Sequence, residues 1–209
     1  LIIYKDIIER HGVKNHALMK HLVKYCFSNM GTLVSMTRLF NDFKSQGFKL
    51  SKDTLFDYFS YLSDAFAVFD VPIFRNSVRA EQRNPKKIYS IDNGFKSVFH
   101  VSLSPDYGRL YENIAFLHLR RKTNEVYYFH QNQEVDFYCQ TEKEQIIANI
   151  SYDIETIKTR EREIKGLMDA LRFFDCNQGY LVTKNYEETI VQDNKEIIII
   201  PLWKWLLSI

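Results

Sequence analysis

The sequence predicts an α+β chain in two parts: a helical winged helix-turn-helix over residues 1–105 and an α/β domain over residues 106–209. Three observations carry this. Residues 3–66 repeat apolar side chains at helical spacing and are punctuated by Gly12, Gly31 and Gly47. Two extended segments, 68–75 and 86–91, then flank a basic stretch. From Asp106 onward the pattern alternates helix and strand, as a layered α/β domain requires. Ser104-Pro105 marks the boundary.

The first helix is expected over 3–11, with Ile3, Ile7 and Ile8 on one face and Gly12 ending it. Asn15 is placed to cap a helix running to about Asn29, with Leu18, Leu22, Tyr25 and Cys26 at helical spacing. Ser35 caps the next, whose Met36, Leu39, Phe40 and Phe43 face inward, and Gly47 closes it. Ser51 opens a longer helix in which Leu55, Tyr58, Phe59, Leu62, Phe66 and Phe69 make one apolar stripe.

Three helices followed by two extended segments match a winged helix-turn-helix, with 75–87 as the wing. The wing holds the candidate DNA-binding residues Arg75, Arg79, Arg83, Lys86 and Lys87 against a single Glu81. The helix that would enter a major groove argues the other way. It offers Lys52 with Asp53, Asp57 and Asp64, and carboxylates there repel phosphates. A protein-contact or scaffold role is therefore preferred to sequence-specific reading of DNA.

The second part is expected to run helix (106–122), three strands (125–129, 134–139, 145–152), helix (155–174), two strands (179–183, 196–200) and a closing aromatic helix (201–207). In the strand Glu134-Val135-Asp136-Phe137, alternation sends Val135 and Phe137 to one face and Glu134 and Asp136 to the other. Two acids on a strand face are also what ordinary solvation produces. Between the two stands a structural hydrogen-bond role, with Asp136 accepting from backbone groups near Arg160.

Composition narrows the classes. The chain has 209 residues, 45% of them hydrophobic, and a net charge of +2. Residues 1–105 hold 15 Lys/Arg against 9 Asp/Glu and residues 106–209 hold 13 against 17, so the basic first half could meet nucleic acid or an acidic partner surface. Cys26, Cys139 and Cys176 are odd in number and set in apolar contexts, which predicts buried free thiols in a reducing compartment. The longest apolar run, Ile197 to Ile200, stops at Pro201 and is strand-sized, so no membrane partner is expected and a cytoplasmic location is. The chain opens on Leu1 rather than Met, in mid-pattern, as a fragment of a longer protein would. The six histidines include no HExxH pair, and no serine sits in a nucleophile elbow.

The order helix, three strands, helix, with Glu112 in the first helix and Asp136 in the second strand, resembles the PD-(D/E)XK nuclease-like fold. That resemblance implies a divalent metal held by the helix glutamate, the strand aspartate and a Glu-x-Lys on the next strand, where the lysine offsets the phosphate charge. Glu112 and Asp136 fill the first two places and would be the metal ligands, with Glu134 beside them. The third place reads Asn149-Ile150-Ser151. An amide brings no charge and a hydroxyl cannot do the lysine's work, so the candidate set Glu112, Glu134, Asp136, Asn149 and Ser151 is read as vestigial.

Taken whole, Tyr4-Lys5-Asp6-Ile7-Ile8-Glu9-Arg10, Ser51-Lys52-Asp53-Thr54, Lys87-Ile88-Tyr89-Ser90-Ile91-Asp92-Asn93-Gly94, Gly108-Arg109-Leu110-Tyr111-Glu112-Asn113, Glu134-Val135-Asp136-Phe137 and Thr159-Arg160-Glu161 resemble the C-terminal region of prokaryotic AAA+-like P-loop ATPases. That region carries a domain of unknown function. The resemblance implies an accessory or regulatory C-terminal half that contacts its own N-terminal ATPase domain and protein or DNA. ATP and Mg²⁺ would then belong to that N-terminal domain, because no Gly-x-x-x-x-Gly-Lys-Ser/Thr occurs here. This chain is read as non-catalytic and without a cofactor of its own. The alternative is a divergent Mg²⁺-dependent nuclease with Glu112, Glu134 and Asp136 as ligands.

Overall fold

The computed structural model describes residues 3–75, 77, 79, 84–99 and 106–209. It is a mixed α+β chain that divides into two compact units: Leu1–Val71 with Gln82–Ser104, and Pro72–Glu81 with Pro105–Ile209.

The first unit opens with a π-helical turn over Ile3–Glu9, ended at Gly12, whose φ of +58° favours a residue without a Cβ. Helix α1 (His16–Ser28) starts where Asn15 Oδ1 accepts from the Leu18 N–H at 3.0 Å. Strand β1 (Leu33–Val34) leads to α2 (Met36–Ser45), capped by Ser35, and α3 (Lys52–Asp64) is capped by Ser51, which accepts from the Thr54 N–H at 3.0 Å. Then come β2 (Val68–Val71), β3 (Lys86–Ser90) and α4 (Gly94–Phe99). The three strands form an antiparallel sheet in the order β1-β3-β2. Leu18, Leu22, Cys26 and Phe27 of α1, Leu39 and Phe43 of α2, and Leu55 and Leu62 of α3 share one buried core.

Two expectations for this unit need correction. The apolar stripe of the third helix does not continue through Phe66 and Phe69. The helix stops at Asp64, Phe66 takes a left-handed φ of 54° and is 62% exposed, and Phe69 belongs to β2. Nor does the extended segment run through 75 as one piece. It leaves the β2–β3 ladder at Val71, and residues 72–75 pack with the second unit.

The second unit begins its main body with α5 (Tyr107–Arg120), capped by Asp106. Strands β4 (Val126–His130), β5 (Glu134–Gln140) and β6 (Gln145–Ile150) follow as an antiparallel meander. Helix α6 (Ile157–Phe173) crosses to β7 (Gln178–Thr183), parallel to β6. Strands β8 (Glu188–Gln192) and β9 (Lys195–Pro201) form a hairpin, and α7 (Leu202–Ser208) closes the chain. The mixed sheet has six strands in the order β4-β5-β6-β7-β9-β8. Helix α6 packs its Leu167, Met168 and Leu171 against Val135, Ile147, Leu181, Ile197 and Ile199. Strand β8 carries too few inward apolar side chains to show as a strand in the sequence; its residues are mostly exposed.

Residues 72–75 lie along β4. The Phe74 N–H donates to the Tyr128 carbonyl at 2.7 Å and the Tyr128 N–H to the Pro72 carbonyl at 3.0 Å. Phe74 enters an aromatic cluster, with ring centroids 5.0 Å from Tyr138 and 4.9 Å from Phe174. No helix among the described residues is long and apolar enough to cross a membrane.

Candidate functional site

Strand β5 keeps the expected alternation of burial over Glu134–Phe137 and then breaks step. Its register against β4 steps from Tyr127↔Tyr138 to Phe129↔Val135, two residues on β4 against three on β5. That is a β-bulge, and it rotates the strand. Val135 and Tyr138, three apart, therefore join the same apolar cluster.

Beyond Phe137↔Ala148 the β5–β6 backbone pairing also ends, and side chains take it over. The Asp136 N–H donates to Asn149 Oδ1 at 2.9 Å, and the Ile150 N–H donates to Asp136 Oδ2 at 2.8 Å. Asn149 Nδ2 donates in turn to Glu163 Oε2, on α6, at 2.8 Å. Arg162 Nε donates to the other oxygen, Glu163 Oε1, at 3.1 Å. Asn149 is 1% exposed, so both ends of its amide are spent inside the fold. Helix α6 can come this close because position 166 is glycine. A Cβ there would stand 3.3 Å from the Glu134 carbonyl oxygen and 3.3 Å from Gln133 Cβ.

Asp136, Ile150, Arg162 and Glu163 line an open cleft of about 410 Å³ with Gly108, Gln133, Glu134, Ser151 and Tyr152. The Glu163 carboxyl is held above the usual carboxylate range, first by burial and then by the nearby Asp136 charge, against the opposing hydrogen bond from Arg162. Burial disfavours the ion, and the amide and guanidinium recover only part of that cost.

Glu134, Asp136, Asn149 and Ser151 are thus brought together. Ser151 Oγ donates to the Asp153 carbonyl at 3.0 Å, a local turn contact. Glu112 is buried on α5, at 8% exposure, one turn beyond the Gly108 that lines the cleft. Among the described residues no group of three or more His, Cys, Asp or Glu side chains is arranged to hold a metal ion. The sequence reading missed Arg162 and Glu163 and looked instead to Arg160. Arg160 pairs with Glu188 of β8, at 2.5 Å. The available signal was Gly166 inside a helix: Glu163, three residues earlier, shares its face.

The basic stretch disperses. Lys86 forms an ion pair with Asp70 of β2, and Lys87 is 2% exposed. Arg75 lies with the second unit, donating to the His130 and Phe74 carbonyls at 3.3 Å each. Arg79 is exposed, and Arg83 lies outside the described residues.

Residues 1–103 match a family model described as Domain of unknown function (DUF8612), and residues 107–205 match Domain of unknown function (DUF4143). An uncharacterized protein of Methanocaldococcus jannaschii is 32% identical over 218 residues, taking in 99% of this chain and 48% of the relative. An uncharacterized protein of Haemophilus influenzae is 24% identical over 203 residues, 97% of this chain and 49% of the relative. No solved structure matches the chain. The chain spans about half the length of these curated relatives, and its two halves are similar to two domains of unknown function.

Proposed function

We propose that this chain is a non-catalytic accessory region of an AAA+-like P-loop ATPase, built from a winged helix-turn-helix and a PD-(D/E)XK nuclease-like domain whose cleft no longer supports hydrolysis. The observation that carries this reading is Asn149. It stands where the nuclease pattern has its acid, and its amide is consumed at 2.9 Å by the Asp136 N–H and at 2.8 Å by Glu163. A hard divalent cation favours charged oxygens that face it, and the Asn149 amide is neutral and 1% exposed. The Asn149 oxygen is instead part of the strand pairing. Among the described residues, Arg162 is the cation that lines the cleft, and it is drawn to Glu163.

The similarity of residues 107–205 to DUF4143, and relatives about twice the chain's length, are consistent with an ATPase domain elsewhere in the parent protein. In this reading the partners are that ATPase domain and a protein or DNA contact through the first unit. ATP and Mg²⁺ act in the ATPase domain. With Lys86 paired and Lys87 buried, protein contact is the better supported of the two.

The test is supercoiled plasmid incubated with the purified chain across a Mg²⁺ and Mn²⁺ titration. No nicking or linearisation is expected at any metal concentration. Cleavage that disappears in Asp136→Ala would overturn the non-catalytic reading and restore the nuclease alternative.

A further inference from the structure

The first unit holds a groove of about 680 Å³ between the N-terminal turn of α2, one row of α3 and the β2–β3 ladder. Phe56 and Phe59 of α3, with Met36 and Ile88, supply apolar walls. Phe56 is 51% exposed, so a large aromatic ring stands at a concave surface without cover. Ser63 also lines the groove, and its hydroxyl is buried with no hydrogen-bond partner.

Charge says what the occupant carries. Helix α3 bears Asp53, Asp57 and Asp64 against Lys52, all exposed. Helical spacing sets Asp53 and Asp64 at the two ends of the groove-lining row Phe56, Ser60 and Ser63. Neither has an ion-pair partner among the described residues, and Asp64 accepts only a long 3.5 Å bond from the Ser60 hydroxyl. Asp57 lines a different hollow, shared with Lys14 and Lys49. Lys52 leans over the Phe40 ring at 5.7 Å, and Lys86 and Asp70 inside the groove neutralise each other. An apolar trough with a carboxylate at each end of its row repels a phosphate backbone and suits an apolar anchor flanked by cations.

We propose that this groove docks a basic protein segment, which inserts a large apolar side chain beside Phe56 and Phe59 and sets Lys or Arg against Asp53 and Asp64. The proposal rests on the protein-contact reading of the first unit and narrows its partner to one chemistry.

The test is fluorescence anisotropy of the full chain with four labelled probes: a Leu/Lys amphipathic peptide, its Glu-for-Lys and Ser-for-Leu counterparts, and a mixed-sequence DNA duplex. The Leu/Lys peptide is expected to bind about tenfold or more tightly than the other three. Phe56→Ser, and Asp53→Lys with Asp64→Lys, should each weaken it by about tenfold or more. Circular dichroism on both variants checks that the fold persists, since all three positions are exposed. Unchanged affinity in both variants, preference for the duplex, or no binding by any probe would overturn the proposal. So would self-association of the chain that Phe56→Ser abolishes, which would make a second copy the occupant. Plasmid cleavage would overturn the accessory reading without altering these affinities.

Discussion

Replacing Asn149 by alanine removes both bonds that tie β5 to α6. It leaves the Asp136 N–H and one oxygen of Glu163 without their partners, at 2.9 and 2.8 Å respectively. A buried polar group left unpaired costs roughly 1–3 kcal/mol. The Glu163 side chain is only 13% exposed, though the cleft lets water reach it, which puts its share at the lower end. The total expected loss is about 3 kcal/mol. Urea unfolding followed by tryptophan fluorescence reads this directly, because Trp203 and Trp205 both lie in the second unit. The midpoint should fall by on the order of 1–2 M.

The loss should also depend on pH. Burial holds the Glu163 carboxyl above its ordinary value, so the folded state binds more protons than the unfolded state as pH climbs through the usual carboxylate range. Stability from this group is present below the unfolded value and declines as pH rises through the folded one. The Asn149 amide favours the ionised carboxylate, so its removal costs more when Glu163 is charged. Asn149→Ala should therefore lose more stability near neutrality than at about pH 4. A loss below about 0.5 kcal/mol, or one that does not grow with pH, would refute the assignment of Asn149 as the tie between strand and helix.

Phe74→Ala should destabilise the second unit by about 2 kcal/mol, less than a fully buried ring, and speed tryptic cleavage after Arg75; the same fluorescence unfolding and a digestion time course check both. In native protein at about pH 8 only Cys176 should react with a thiol reagent, since burial pushes Cys26 up to about 12 and Cys139 higher, and the thiolate is the reactive form. All three should react once the chain is unfolded in denaturant.

Much of the local structure was legible in the sequence because it rests on neighbours a few residues apart. Asn15, Ser35 and Ser51 each cap the helix they announce, through side-chain oxygens that reach an N–H three residues on. Gly12 and Gly47 end segments with φ of +58° and +89°. The existence and order of strands β4 to β7 and of the helix before β7 follow from apolar periodicity and short turns. Phe66 was misread because its spacing continues the helical stripe while its backbone does not. Strand β8 was missed because an exposed edge needs no apolar alternation.

The sequence by itself determined that the chain has a helical half and a sheet half, and it singled out Glu134, Asp136, Asn149 and Ser151 as candidate site residues. Only the tertiary structure decided what those residues do. A bulge in β5 turns Asp136 toward β6, and Gly166 lets α6 approach closely enough for Glu163 to meet Asn149. The same holds for the basic stretch: Arg75 follows Phe74 to β4, while Lys86 turns to Asp70. Caps and periods are set by residues three or four apart. Register shifts, helix approach and ion pairing depend on groups distant in the chain, and no local pattern encodes them.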